Sequence, residues 1–82
     1  MLSLADLREG QFATIIEVSG DDAIAVRLME MGLTDGERVK LVGFAPMGDP
    51  LEIMIRGYRL SLRCSEAKRI IVELTTDRKS VV

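Results

Sequence analysis

At 82 residues, 48% of them hydrophobic, the chain is long enough for one small core and excludes both a second domain and a mostly disordered chain. Its charge is nearly balanced, 11 basic against 13 acidic residues, which excludes a general electrostatic pull toward nucleic acid or anionic lipid. There is no histidine, so the commonest general base and transition-metal ligand is missing, and the single cysteine, Cys64, excludes an intramolecular disulfide.

No apolar run approaches the roughly 18–20 residues of a membrane span. Met1-Leu2-Ser3-Leu4 lacks a charged n-region and a long apolar stretch, so no signal peptide is expected, and one free cysteine fits a reducing, cytoplasmic setting. Ser3-Leu4-Ala5-Asp6 predicts a short helical turn with Ser3 as cap and Asp6 in the capping-box position. Leu4 and Leu7 share a face and are expected to plug one end of the core. Gln11 to Ser19 predicts the first strand. Strict alternation fails at Ile15-Ile16, which a bulge, or burial on both sides, would explain.

Asp21 to Met31 predicts the one real helix, capped by Asp21, with Ile24, Leu28 and Met31 as the buried stripe. Gly32 stands where a left-handed residue ends a helix, and Arg27 and Glu30 are placed to pair weakly. After a turn at Thr34-Asp35-Gly36, Glu37 to Phe44 predicts the second strand. Val39 and Leu41 face inward, and Gly43 marks a bend. Ala45-Pro46-Met47-Gly48-Asp49-Pro50 predicts a loop, with Asp49 capping a turn.

Leu51 to Cys64 predicts a hairpin with Gly57-Tyr58 as a type II′ turn. That turn sets Arg56 opposite Arg59, Ile55 opposite Leu60, Ile53 opposite Leu62, Leu51 opposite Cys64 and Glu52 opposite Arg63. Ser65 to Lys68 predicts a helical turn capped by Ser65, and Arg69 to Thr75 the last strand. Residues 77–82 predict a frayed polar tail behind a domain of residues 1–76. The expected fold is mainly β: a small, partly open barrel of about five strands, of SH3 or OB type, with one α-helix between strands 1 and 2 and helical turns near residues 3–7 and 65–68.

Three segments carry a resemblance. Arg27-Leu28-Met29-Glu30-Met31-Gly32-Leu33 resembles the R-L-x-x-M-G-[LF] signature of FeoA proteins. Ala45-Pro46-Met47-Gly48-Asp49-Pro50 resembles their A-P-x-G-D-P loop, and Arg56-Gly57-Tyr58-Arg59-Leu60-Ser61-Leu62-Arg63 resembles their R-G-Y-x-[LI]-[AS]-[LI]-R hairpin. Order and spacing also match over roughly Leu4 to Glu73. Two positions depart: Val26 stands where many members have a second arginine, and Asp35 where many have proline. The resemblance implies an SH3-like barrel in the cytoplasm, held at the inner face of the membrane by FeoB, a membrane-embedded G protein that imports ferrous iron. It implies binding to the cytoplasmic part of FeoB and modulation of it. A related module forms the C-terminal domain of metal-dependent transcriptional repressors, which makes a repressor-like regulatory module the alternative.

Docking residues are chosen where packing does not already account for them. Leu28, Met31 and Gly32 are explained by the helix stripe and its cap. Arg27 and the off-stripe Met29, Pro46 and the loop-tip Met47, and Tyr58 and Arg59 at the hairpin tip are the candidates, because Met adapts to partner surfaces and Tyr and Arg are enriched at binding hot spots. Cys64 is read as a small core hydrophobe. No catalytic residues, cofactor or metal ligands are expected: no spacing fits a zinc or non-haem iron site, and neither G-x-x-x-x-G-K-[ST] nor G-x-G-x-x-G occurs. The expected partner is the FeoB-type GTPase, with no nucleic acid and no membrane insertion of this chain itself. Self-association through Met29, Met47 and strand-edge backbone is left open.

Overall fold

Five antiparallel strands wrap one apolar core in the computed structural model, which describes residues 1–75. In chain order come a 3-10 turn (Leu4–Asp6), β1 (Phe12–Val18), α1 (Ala23–Glu30), β2 (Arg38–Phe44), β3 (Leu51–Ile55), β4 (Tyr58–Leu62), α2 (Cys64–Ala67) and β5 (Ile70–Thr75). The sheet order is β4-β3-β2-β1-β5, and the edges β4 and β5 do not pair, so the barrel is open. The predicted tail lies outside the described residues.

The inward rows explain the cohesion. Ala13 faces Val39, which faces Ile55, and Leu41 faces Ile53; all are fully buried with Ile15, Leu51, Leu62, Ile70 and Val72. Leu4 and Leu7 are buried at one end, as expected, and the Ser3 N–H donates to the Asp6 carboxylate at 2.8 Å. The failed alternation at Ile15-Ile16 is a bulge between Ile15 and Glu17, which turns Ile16 outward. The bend at Gly43 is a second register shift, between Leu41 and Gly43.

Four expectations need correction. The α1 cap is Asp22, not Asp21: its carboxylate accepts the Ala25 N–H at 3.2 Å. Ile24 is exposed, and Ala25 with Leu28 forms the buried line instead: three residues apart, they share a helix face, and Ile24 lies about 100° to one side of Ala25. The hairpin turns one residue earlier than expected, on Arg56-Gly57. Both have positive φ (51° and 84°), as a type I′ turn requires. Ile55 therefore faces Tyr58, Ile53 faces Leu60 and Leu51 faces Leu62. The partner shifts by two residues, so each side chain keeps its face, but Cys64 leaves the ladder and Glu52 meets Ser61 in place of Arg63. Finally, α2 starts at Cys64 with Arg63 as its N-cap, so Ser65 is not the cap. There the Glu66 carboxylate accepts the Arg63 N–H at 3.2 Å.

The end of α1 is closed as the sequence indicates. Gly32 N–H donates to the Met29 carbonyl at 3.0 Å and Leu33 N–H to the Leu28 carbonyl at 3.2 Å, a Schellman pair with Gly32 at φ 101°. A Cβ on Gly32 would stand 3.4 Å from the Tyr58 hydroxyl. Gly32→Ala is expected to cost about 1–2 kcal/mol, read by urea denaturation, because an L side chain is strained in that backbone region.

Asp22 also ties α1 to the start of β5. Arg69 reaches it with both terminal guanidinium nitrogens, at 2.6 and 3.1 Å, and donates to the Ser19 carbonyl at 3.3 Å. The Arg69 hydrogen bond first, then the Ala25 N–H, holds the Asp22 carboxyl below its ordinary 3.8. A lowered acid contributes stability above its unfolded pKa and loses it as pH falls through the folded value. The stability difference between wild type and Asp22→Asn, which still caps, is therefore expected to stay constant above about pH 5 and to close below it. Denaturant titrations at stepped pH check this, and a gap unchanged in acid contradicts it.

Candidate docking site

The three motif segments meet around one open hollow of about 600 Å³. The helix α1 supplies Arg27 and Met31, the proline loop supplies Asp49 and Pro50, and β4 supplies Ser61 and Leu62. Arg63 and Glu66 close it from α2. Each wall is fixed by contacts outside its own segment. Arg27 pairs with Glu66, 39 residues away, and not with Glu30 as expected. The same Glu66 carboxylate caps α2, so one side chain joins both helices.

The loop is held by four hydrogen bonds. Ala45 N–H donates to the Pro50 carbonyl at 2.9 Å, and Gly48 N–H donates to the Ala45 carbonyl at 2.7 Å. Asp49 accepts the Cys64 N–H at 3.0 Å, so it caps a helix from across the molecule rather than a local turn. The Cys64 thiol donates to the Gly48 carbonyl at 3.2 Å. Cys64 is thus half-buried under the loop, outside the hairpin ladder but packed against the core as a small hydrophobe. Burial, and then the neighbouring Asp49 carboxylate, push its thiol above the ordinary 9.0. Little thiolate forms at neutral pH, and the thiol is expected to react with iodoacetamide more slowly than free cysteine. Asp49→Asn removes the charge and is expected to speed the alkylation; an unchanged rate contradicts this account of the thiol.

The candidate residues divide among four places. Arg27 lines the hollow. Tyr58 stands at its helix end and donates its hydroxyl to the Met31 carbonyl at 3.0 Å. Pro46 and Met47 are exposed at the loop tip, Met47 with 90% of its surface in solvent. Met29 lies elsewhere, lining a second hollow with Ile16, Leu33 and Asp35. Arg59 lies on the outer face of the sheet, opposite Met54 and 3.7 Å from Glu52. Pro50, Ser61, Arg63 and Glu66 line the hollow without having been singled out from sequence. The spacing of Arg63 and Glu66 is that of a capping box and was a usable signal; nothing local connects Glu66 to Arg27.

The hollow mixes two guanidinium groups with two carboxylates that already hold partners. Such a lining suits an apolar side chain flanked by polar backbone and assembles no nucleophile with a base. Among the described residues, no group of three or more Cys, Asp and Glu is placed to hold a metal ion, and no helix is long and apolar enough to cross a membrane.

The FeoA domain family model matches residues 2–74. A curated relative, the Fe(2+) transport protein A/Fe(2+) transporter FeoB fusion protein of Porphyromonas gingivalis, is 37% identical over 73 residues. The match takes in 89% of this chain and 9% of that relative's length. The solution structure of a FeoA-like protein from Clostridium acetobutylicum superposes with TM-score 0.86 at 34% identity, covering 98% of this chain and 93% of that one. Zinc-bound FeoA from Stenotrophomonas maltophilia, described as a prokaryotic SH3 domain protein, gives 0.78 at 38%, covering 89% and 91%. The barrel is therefore SH3-like, as expected. A manganese-dependent transcriptional repressor shares the fold alone, at 18% identity and TM-score 0.82, with 90% of this chain and 36% of that one covered.

Proposed function

The chain belongs to the FeoA domain family, and we propose that it is a non-catalytic accessory protein of bacterial ferrous iron uptake that docks on the cytoplasmic part of a FeoB-type membrane GTPase. The observation that carries this reading is the convergence of the helix, proline loop and hairpin on one hollow. Segments far apart in the chain form a common recess lined by exposed Arg27 and Arg63, the kind of surface that docking needs. The fusion of a homologous segment to FeoB in one relative supports the choice of partner, since joining two chains raises their effective concentration only where they meet. GTP hydrolysis and ion passage then belong to the partner, and this chain acts at the membrane's cytoplasmic face by binding.

Calorimetric titration of the full chain against the cytoplasmic portion of a FeoB-type protein, in its GDP-bound, GTP-analogue-bound and empty states, tests the reading. Saturable binding in at least one state is expected. No binding in any of the three overturns it.

A further inference from the structure

The outer face of the sheet carries a second surface, facing away from the core. Directly opposed residues share a face, and here Phe12 faces Lys40, Lys40 faces Met54 and Met54 faces Arg59, a row that crosses four strands. Beside it Phe12, Val39 and Met54, with Arg38, Lys40 and Arg56, line a hollow of about 370 Å³. The Arg38 guanidinium sits 5.0 Å and the Lys40 ammonium 5.4 Å from the centre of the Phe12 ring. The Lys40 pair keeps the ammonium at the ring while leaving its outward N–H groups for an anion.

This basic island stands on a chain of net charge −2, and acids mark its margins. Glu37 holds Arg56, Glu52 lies 3.7 Å from Arg59, and Glu73 of β5 faces Thr14 of β1. Screening over about 8 Å at physiological salt means that a ligand feels the island and its margin, and hardly the rest of the molecule. A long polyanion, whether nucleic acid or an anionic bilayer, would overrun the island onto those acids. A short acidic stretch of protein would not.

We infer that this face docks an acidic protein segment, an apolar side chain resting on Phe12 and Met54 while flanking carboxylates meet Lys40 and Arg59. The surface is separate from the hollow proposed for the GTPase, so either assignment can fail without the other. A tagged peptide of alternating glutamate and leucine, its glutamine counterpart, a DNA duplex and phosphatidylserine vesicles are titrated in parallel against the full chain. The glutamate peptide is expected to bind in a salt-sensitive way and to shift amide resonances at Phe12, Lys40, Met54 and Arg59. In Lys40→Glu/Arg59→Glu its affinity is expected to fall by at least about tenfold, as two attractions become repulsions. The same reversal at Lys68, the residue after α2, is expected to leave binding intact. Equal binding of the glutamine peptide, tighter binding of duplex or vesicles, shifts confined to other residues, or no binding at all would each overturn the inference.

Discussion

Leu28→Ala is expected to remove about 2–5 kcal/mol of folding stability, the range for emptying a buried leucine position. An 82-residue domain has only about 4–12 kcal/mol in total. The loss is large because the fully buried Leu28 side chain joins α1 to the barrel core. Beside it α1 offers only Ala25 as a buried residue, so little else anchors this eight-residue helix. Denaturant titration should show the fall in stability. Amide exchange should show α1 opening first, with β2 and β3 still protected. Uniform loss of protection would mean that the helix and the sheet open as one unit.

Arg27→Ala is expected to do the reverse, leaving the fold intact and weakening the complex with the GTPase portion by about 2 kcal/mol or more, roughly thirtyfold in Kd. The Arg27–Glu66 pair is exposed on the arginine side and contributes about 0–1 kcal/mol to stability at most. Its guanidinium, however, stands in the wall of the hollow, where a partner's backbone carbonyls or carboxylates would desolvate it. Paired measurements on one variant, unfolding and titration, separate the two roles. An unchanged Kd would remove the hollow from the interface; an unfolding midpoint moved as far as in Leu28→Ala would make Arg27 structural.

The barrel was legible because its signals are local. The broken alternation at Ile15-Ile16, the glycine at the end of α1 and the inward alternation of β2 each follow from side-chain period and backbone sterics. The hairpin register was missed because Arg56 occupies a left-handed position that sequence assigns to glycine. Its guanidinium is tied to Glu37 there, with Nε 3.0 Å from the carboxylate. The site was legible only in outline. Motif segments pointed to α1, the loop and the hairpin, but which residues share a wall depends on Glu66 and Asp49 reaching across the molecule. Contacts between residues 15 and 39 positions apart leave no trace in local pattern. Met29 and Arg59 show the converse: close in sequence to residues of the hollow, they face elsewhere because a helix and a strand each expose more than one side.

The cross-molecular cap by Asp49 has a thermodynamic consequence. A six-residue loop between two strands ordinarily samples many shapes, and a ligand closing on it must freeze them at a cost in entropy. Here the Cys64 amide and thiol have already done that freezing, against a helix that the loop's own strands do not contain. A partner would meet a preorganised cleft. Asp49→Ala would restore the loop's freedom, and the complex would then form with a more unfavourable entropy while every group that lines the hollow, other than that one carboxylate, is still present.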